Sequence, residues 1–426
     1  MYAIAIDLGT TTLAASLIET ASGSRLAMTG SLNPQRRFGA DVVSRLDAAV
    51  GSDSSLREMS LLIRTELRRL AGELCENAGI SWDDVGQVAV AGNPAMQHLL
   101  LGLPVRSLAF PPYRPLSTGG TTLNAAELGW PGNALVYCFP SPGGFVGGDT
   151  VAFLYGVFAA GPTLTGSSTP HSPRLFIDMG TNGEIALVVE ESIWATSAAA
   201  GPAFEGGNLS CGMAALPGAI SSVVLEDERV KLATIGDRPP AGICGSAAIE
   251  TVTWLLRHDI VEAGGRLRDS GEIPSNLATR VIVHNGENAF VLHRDARNLL
   301  LLTQGDIRQI QLAKGAIRAG MDVLANKARI RFQSLTEVIL TGSFGAVLQP
   351  EWLKSIGIFN EGMVHITRFT PEGALCGVER ALTAGDGFAS VEQLGKRFRV
   401  VPLSGSPQFE SLFMQQIDFP KADHET

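Results

Sequence analysis

Two near-copies of one short pattern constrain this chain more than any other feature. The first is Ala-Ile-Asp-Leu-Gly-Thr-Thr-Thr at residues 5–12, and the second is Phe-Ile-Asp-Met-Gly-Thr-Asn-Gly at residues 176–183. Each pattern predicts a strand that ends near a carboxylate, a tight turn at glycine, and a second strand. Small hydroxyl and amide residues in such a turn present N–H and O–H groups that can hold phosphate. One copy is a weak signal, but two copies predict a duplicated domain with phosphate bound between its halves.

The composition predicts a soluble protein of two lobes. A chain of 426 residues, 45% of them hydrophobic, is too long for one ordinary core. Its 33 basic and 42 acidic residues give a net charge of -9, which argues against nucleic acid or an anionic membrane as the main partner. No apolar stretch approaches the roughly 20 residues of a spanning helix, and the first residues resemble a strand more than a leader. We therefore expect a cytoplasmic protein without a membrane or nucleic-acid partner.

The cysteines predict no metal centre built from thiolates. They lie far apart, without a Cys-x-x-Cys pair, at Cys75, Cys138, Cys211, Cys244 and Cys376. Zinc sites and iron–sulfur clusters both need clustered thiolates. We therefore expect no iron–sulfur cluster in this chain, and any electrons that it handles are expected from elsewhere.

The spacing of apolar residues predicts an α/β protein. Alternating runs predict strands at residues 3–7, 12–18, 25–31, 85–91, 175–178, 183–190, 193–198 and 335–340. Helical spacing predicts helices at residues 41–50, 56–78, 245–258 and 306–329, with Gly79 ending the second of these. A Pro- and Gly-rich run near residue 142 predicts the lobe boundary. Residues 1–142 are then the first lobe, and residues 143–426 are the second lobe with a C-terminal extension.

Three acidic residues are candidates for catalysis. Asp7 and Asp178, near the ends of equivalent strands, are predicted to position a hydrated Mg²⁺ and to orient an attacking water, since magnesium prefers oxygen ligands and keeps several waters. Asp149 follows a Gly-Gly pair at the start of a helix, near the predicted hinge. The alternative for Asp149 is an ordinary helix cap.

The candidate nucleotide-binding residues lie mostly in glycine-rich segments. They are Gly9, Thr10, Thr11 and Thr12 in the first turn, Gly180, Thr181, Asn182 and Gly183 in the second, and Gly206, Gly207, Lys314, Gly342, Ser343 and Phe344 further on. The segment that begins at Gly342 could approach the base and ribose closely, because glycine removes side-chain obstruction. Lys314 either contacts the adenine or solvates a helix face, and Glu205 either serves the nucleotide or caps a turn.

The order of these motifs resembles the nucleotide site of the acetate kinase, sugar kinase, Hsp70 and actin superfamily. More narrowly, several long segments resemble the ATP-dependent reductive activators of corrinoid proteins, over nearly the whole chain. These segments are Asn-Pro-Gln-Arg-Arg-Phe-Gly-Ala-Asp-Val at 33–42, Gly-Pro-Ala-Phe-Glu-Gly-Gly at 201–207, Ser-Cys-Gly-Met at 210–213, Gly-Ile-Cys-Gly-Ser at 242–246, and Asp-Ile-Arg-Gln-Ile-Gln-Leu-Ala-Lys at 306–314.

The resemblance implies a fold and a function. The fold is a duplicated ribonuclease H-like, actin/Hsp70-type ATPase with two lobes around a central nucleotide cleft. The function is an ATPase, using ATP and Mg²⁺, that binds a corrinoid protein oxidised to Co(II) and helps to return it to Co(I) for methyl transfer. A homodimer is expected on the same grounds. The loop containing Ser210 is expected to touch the corrinoid partner near cobalt.

One feature departs from the family pattern. Members of the family usually carry an amino-terminal 2Fe-2S domain, whereas this sequence starts at the nucleotide-binding core. We therefore expect either that a separate low-potential protein donates the electron or that the sequence is a shortened form.

Two other functions fit the same fold. A small-molecule kinase would transfer the γ-phosphoryl group to an alcohol or a carboxylate, and a scaffold would bind nucleotide without turnover. A kinase needs a base aimed at a substrate hydroxyl. The sequence offers no sugar-specific constellation beyond the shared core.

Overall fold

The computed structural model describes residues 1–159, 172–342 and 348–421. Backbone contacts divide the chain into two units. Unit 1 comprises Met1–Ser172, Ala186–Ser197 and Pro371–Pro402, and unit 2 comprises Pro173–Ile185, Ala198–Thr370 and Leu403–Thr426. The boundary predicted at residue 142 does not coincide with this division. Residues 143–159 belong to unit 1, because the helix within them packs against a helix from Pro371–Pro402.

The strands are numbered in chain order. They are β1 (Tyr2–Leu8), β2 (Thr12–Glu19), β3 (Arg25–Leu32), β4 (Val85–Gly92), β5 (Thr121–Asn124), β6 (Leu135–Cys138), β7 (Arg174–Met179), β8 (Gly183–Val189), β9 (Ser192–Ala198), β10 (Ala219–Glu226), β11 (Arg229–Thr234), β12 (Gly242–Ile243), β13 (Val281–His284), β14 (Glu287–Arg294), β15 (Leu299–Thr303), β16 (Glu337–Thr341), β17 (Thr367–Phe369) and β18 (Phe398–Val400).

The α-helices are numbered in the same way. They are α1 (Val42–Gly51), α2 (Asp53–Ala78), α3 (Pro94–Leu101), α4 (Arg106–Ala109), α5 (Gly148–Ala159), α6 (Gly245–Arg257), α7 (Gln304–Ala328), α8 (Pro350–Ser355), α9 (Glu361–Val364), α10 (Gly373–Thr383), α11 (Ala389–Gly395) and α12 (Pro407–Gln415).

Unit 1 is built on a six-stranded sheet of order β3-β2-β1-β4-β6-β5. β1 runs antiparallel to β2 and parallel to β4, and β4 runs parallel to β6. Residues 3–6 of β1 are fully buried, as expected of a central strand covered on both faces. The carboxyl ends of β1, β4 and β6 therefore lie at one edge of this sheet.

Helix α2 shows how the sequence covers this sheet. Its buried residues recur three or four positions apart, from Met59 through Ile63 and Leu67 to Leu70 and Leu74, and so form one apolar face. The side chain of Ser52 caps its start, and Gly79 ends it in the left-handed conformation at φ 67°. Both predicted bounds of this helix are thus close to those observed. Helices α5 and α10 also pack against strands of this sheet.

Unit 2 contains a second parallel arrangement. β16 lies between β17 and β7 and runs parallel to both, and the first residues of β8 follow next to β7. Two three-stranded sheets, β11-β10-β12 and β13-β14-β15, complete the strands of this unit. The rest of β8 and most of β9 belong to unit 1, where β18 pairs in parallel with β9.

The order of elements along the chain confirms an α/β fold with an internal repeat. β1, β2 and β3 follow one another, and β4 returns parallel to β1 after two helices. β7, β8 and β9 likewise follow one another, and β16 returns parallel to β7 after α6 and α7. The strands predicted for both halves are confirmed, whereas β5, β6, β10 to β15 and β17 were not predicted. Within residues 1–159, 172–342 and 348–421, no helix is both long and apolar enough to cross a bilayer.

Replacing Gly147 with alanine tests the close approach of α5 to the β4–α3 turn. A Cβ atom there would collide with the backbone of Asn93, so we expect Gly147→Ala to destabilise unit 1 by about 2 kcal/mol. Gly72, inside α2, has open space around it, and Gly72→Ala should instead stabilise by about 0.5–1 kcal/mol. Calorimetric melting of both variants checks that the two changes in stability have opposite signs. Equal melting temperatures for both variants would contradict the packing described.

Candidate functional site

The first acidic turn follows β1 in unit 1. Asp7 is the next-to-last residue of β1, opposite Ala14 of β2 and Ala91 of β4. A Cβ atom at Gly9 would collide with the carbonyl oxygen of Thr12, so this position requires glycine. Along the turn, burial decreases from Thr10 to Thr12, which is exposed. The carboxylate and the hydroxyl groups thus lie at the carboxyl end of a central strand, where α/β folds commonly bind ligands.

Two asparagines hold this turn in place. Asn33 follows β3, and it donates its backbone N–H to the Thr11 carbonyl at 2.8 Å and its side-chain amide to the Gly9 carbonyl at 2.9 Å. Asn93 caps α3, and its side-chain amide donates to the hydroxyl oxygen of Thr10 at 2.9 Å. These hydrogen bonds set the conformation of the turn without any ligand.

The start of α5 packs directly against the segment that contains Asn93. A Cβ atom at Gly147 would lie 2.5 Å from the carbonyl oxygen of Gly92, and one at Gly148 would lie 2.6 Å from Gln97. The two glycines therefore allow the helix to begin next to the β4–α3 turn. They bring Asp149 to the same edge of the unit 1 sheet as the first acidic turn.

Asp149 has an unusual electrostatic environment. Asp149 is the second residue of α5 and is therefore not its N-cap, which by definition comes before the first residue of the helix. Its carboxylate accepts the backbone N–H of Thr150 at 2.7 Å. Burial raises the pKa of Asp149 to about 6, although the hydrogen bonds from Thr150 act to lower it. A carboxyl group with a pKa near neutrality can take up and release a proton at working pH.

The second acidic turn follows β7 in unit 2. Asp178 is the next-to-last residue of β7, as Asp7 is of β1, and lies opposite Thr341 of β16. Thr181 is buried, its carbonyl oxygen accepts the N–H of Gly201 at 2.9 Å, and its hydroxyl donates to the carboxylate of Glu205. Glu205 therefore helps to hold this turn, a role that the sequence left undecided. Within the turn, the N–H of Gly180 donates to the carbonyl of Asn182 at 3.1 Å.

Close packing accounts for three of the other candidate glycines. A Cβ atom at Gly183 would lie 2.8 Å from Ile317 of α7, and one at Gly206 would collide with the carbonyl oxygen of Met213. Gly206 also has φ 81°, and a Cβ atom at Gly207 would lie 2.6 Å from the Cβ atom of Pro202. Their predicted contacts with nucleotide remain predictions.

The candidate segment after β16 is described only at its start. Gly342 directly follows β16 with φ 143°. Ser343 and Phe344 lie outside the described residues. Gly342 and Asp178 belong to neighbouring strand ends in unit 2, because Thr341 pairs with Asp178.

Lys314 does not lie on a solvated helix face. It is 1% exposed in α7, its ammonium group donates to the backbone carbonyl of Asp418, and it lies 5.5 Å from the ring centroid of Phe419. Burial lowers its pKa to about 8. The sequence could not show this, because a C-terminal segment distant along the chain covers the lysine. A contact with adenine would require that segment to move.

Ser210 is exposed and is held by a buried carboxylate. Asp306 is 3% exposed, and its Oδ1 atom accepts the backbone N–H of Ser210 at 2.7 Å and its hydroxyl at 3.1 Å. The other oxygen of Asp306 accepts the N–H of Thr303 at 2.9 Å. The hydroxyl oxygen of Ser210 also lies 3.4 Å from the hydroxyl of Thr303, and because its hydrogen is donated to Asp306, it has a lone pair left to accept from another group.

The asparagines that support the first turn were missed as site residues. Each stands before a proline at the start of a short helix, Asn33 before Pro34 and Asn93 before Pro94. An asparagine cap followed by proline is a recognisable helix start. That signal predicts the cap but not the side-chain amide that reaches a distant turn.

No group of three or more His, Cys, Asp or Glu side chains is placed to hold a metal ion in the described part of the chain. A hydrated Mg²⁺ needs no such group, since it is bound through one or two carboxylates, waters and substrate phosphates.

Comparison with known proteins shows the family. Residues 2–159 match the family described as the RACo middle region, and residues 172–426 match the C-terminal domain of RACo, the ASKHA domain. The chain is 30% identical, over 98% of its length, to the corrinoid activation enzyme RamQ of Eubacterium limosum and covers 70% of that protein. The chain belongs to the RACo family of reductive activators. The family and the ASKHA fold inferred from the sequence are thereby confirmed.

Two further proteins are similar over most of this chain. The Co(II) methylated amine-specific corrinoid protein reductase of Methanosarcina barkeri is 25% identical, with 84% of this chain and 65% of that protein covered. The solved structure of a reductive activator for a corrinoid, iron–sulfur protein is 28% identical with a TM-score of 0.87, covering 99% of this chain and 66% of that one. The chain spans about two thirds of the length of these relatives.

The raised pKa of Asp149 predicts a pH-dependent stability difference. The folded protein binds more protons than the unfolded chain between about pH 4 and 6, so wild-type stability falls with rising pH in that window. Asp149→Asn keeps an acceptor for Thr150 and lacks this titration. We expect the variant to be more stable than wild type above pH 6, by about 1–3 kcal/mol, and the difference to shrink towards pH 4. A stability difference between wild type and Asp149→Asn that stays constant from pH 4 to 8 would contradict the raised pKa of Asp149.

Proposed function

We propose that this chain is an ATP-dependent activator that binds an oxidised, Co(II) corrinoid protein and couples ATP binding and hydrolysis to its reduction to Co(I). The observation that carries the proposal is the repeated aspartate, next to last in β1 and in β7, in a chain of the RACo family. Named members of that family act on corrinoid proteins. The proposal concerns the activity of a whole protein of this family. The chain spans about two thirds of the length of its relatives.

The proposed roles follow from the chemistry of each group. Asp7 and Asp178 hold a hydrated Mg²⁺ and orient the water that attacks the γ-phosphorus, while the bond to the bridging oxygen of ADP breaks. Asp149, with its pKa near 6, is suited to take up the proton that this water releases. The hydroxyl and N–H groups of the two turns bind the phosphates.

Hydrolysis supplies the conformational change, and a separate donor supplies the electron. One electron from a low-potential reductant converts Co(II) to Co(I), so no electron has to come from ATP. Binding and hydrolysis of ATP change the contact with the corrinoid partner and thereby the ligation of cobalt. We further propose that the protein is a cytoplasmic homodimer.

Ser210 is the proposed contact with the corrinoid partner. The residue is exposed, and the hydrogen of its hydroxyl is donated to the buried Asp306. The oxygen can therefore act as an acceptor or ligand towards cobalt or the group bound to it.

The function is tested by following cobalt and phosphate together. The protein is mixed with candidate Co(II) corrinoid proteins, a low-potential reductant and ATP, and the cobalt spectrum and phosphate release are recorded. We expect formation of Co(I) that depends on ATP, and faster hydrolysis when the correct partner is present. Turnover that depends on a small alcohol or acid would indicate a kinase. Tight nucleotide binding without turnover would indicate a scaffold, and either result would overturn the proposal.

Replacing Asp178 with asparagine tests its catalytic role. The side chains are nearly isosteric, so we expect Asp178→Asn to keep the melting temperature and to lose about a hundredfold or more in the rate of ATP hydrolysis. Asp227→Asn is the matched control, because Asp227 is exposed in the β10–β11 turn at φ 50°, which asparagine adopts readily. Hydrolysis by Asp178→Asn at the wild-type rate would show that the assignment is wrong.

Replacing Ser210 with alanine tests the partner contact. We expect Ser210→Ala to slow the reduction of the Co(II) corrinoid protein about tenfold, because one oriented oxygen is lost. Ser411→Ala removes an exposed hydroxyl on α12 and serves as the control. The cobalt spectrum under saturating ATP gives the rates. If Ser210→Ala matches wild type in both ATP hydrolysis and corrinoid reduction, Ser210 has no such role.

A further inference from the structure

Arg45 is a charged side chain buried completely inside unit 1. It lies in the first turn of α1 and is 0% exposed. Its Nε atom donates to the carbonyl of Gly39 at 3.0 Å, and Nη1 donates to the sulfur of Met96 at 3.5 Å. Its Nη2 atom is buried without a hydrogen-bond partner. The guanidinium group thus has one strong acceptor, one weak acceptor and one unsatisfied nitrogen.

The charge of Arg45 is not paired with a carboxylate in the described part of the chain. Among the described residues, none lies within ion-pair distance of its guanidinium group. Asp41, whose charge acts on Arg45 without forming an ion pair, caps α1 by accepting the N–H of Ser44 at 2.8 Å. Burial lowers the pKa of Arg45 to about 10, although the charge of Asp41 acts to raise it. The group nevertheless stays charged at neutral pH.

A short chain of contacts connects Arg45 with the first acidic turn. The sulfur of Met96 accepts Nη1 of Arg45 at 3.5 Å and the side-chain amide of Asn33 at 3.6 Å. The same amide donates to the carbonyl oxygen of Gly9 at 2.9 Å. The buried cation therefore lies close to the turn that is proposed to bind phosphate, separated from it by Met96 and Asn33.

An isolated buried cation lowers the stability of the ligand-free protein. Charges are expensive to bury unless they are paired, and replacing such groups with apolar residues of similar size is often neutral or stabilising. An anion bound at the nearby turn would interact favourably with this charge, because the intervening protein screens less than water does. The cost in the free protein would then be offset when the ligand binds.

We propose that Arg45 is a positioning residue for the nucleotide: its buried charge is compensated by the phosphates of a nucleoside triphosphate bound at the first acidic turn. The inference rests on the proposed function, since it takes ATP as the ligand of that turn. Arg45 does not touch the ligand. It acts by its charge and through its contact with Met96, which in turn contacts Asn33, the residue that binds the carbonyl of Gly9.

The proposal is tested with three variants and two ligands. Arg45→Met removes the charge and keeps a long unbranched side chain, Arg45→Lys keeps the charge, and Arg57→Met removes an exposed arginine from α2 as the matched control. Calorimetric titration measures the affinity for a non-hydrolysable ATP analogue with Mg²⁺ and for adenosine. Thermal melting without ligand measures the stability of the free protein.

We expect Arg45→Met to bind the ATP analogue at least tenfold more weakly and adenosine within twofold of wild type. Its ligand-free melting temperature should equal or exceed that of wild type. Arg45→Lys should stay within threefold of wild type for the analogue, and Arg57→Met should match wild type for both ligands.

Three results would overturn the inference. They are unchanged analogue binding by Arg45→Met, an equal loss of analogue and adenosine binding, and a lowered melting temperature of ligand-free Arg45→Met, since the last two indicate a structural role. If the wild type itself binds no ATP analogue, the proposed function fails, and the inference fails with it.

Discussion

The candidate site depends on turns whose carbonyl groups are bound by the protein itself. A turn that binds phosphate through N–H and O–H groups must direct its carbonyl oxygens elsewhere, because they repel an anion. Asn33 binds the carbonyls of Gly9 and Thr11, and the N–H of Gly201 binds that of Thr181. In both cases the donor belongs to the segment after the third strand of the repeat, β3 or β9. The internal repeat therefore includes both the turn motif and the segment that binds the carbonyl groups of the turn.

Local signals predicted the parts of the fold in which one face of an element meets a core. The apolar runs of β1 and β2, and the apolar stripe along α2 that ends at Gly79, predict the type of each element and come close to its bounds, because these residues are buried in the structure. β12 has two residues and exists through its parallel pairing with β10, so no period could reveal it. β14 does place buried residues among polar ones and could have been recognised as a strand.

The candidate site residues that belong to a sequence motif could be predicted, whereas those that depend on a contact with a distant residue could not. Asp7 and Asp178 stand at strand ends that the sequence itself marks. The hydrogen bond between Thr181 and Glu205, and the contact of Lys314 with the C-terminal segment that covers it, join residues distant in sequence. No local pattern encodes such pairs. The resemblance to corrinoid activators identified the family because it rests on many segments in order, which a single turn motif cannot match.

The two turns follow strands in which aspartate is the next-to-last residue, but they differ in hydrogen-bond polarity. The hydroxyl of Thr10 accepts the amide of Asn93, so its own hydrogen can be donated to another group, such as a phosphate oxygen. The hydroxyl of Thr181 donates to Glu205, so its oxygen can only accept further, for example from a water molecule. An amide supports one turn and a carboxylate the other. The first turn therefore keeps a hydroxyl hydrogen that an anionic group can accept, whereas the hydroxyl of Thr181 in the second turn does not.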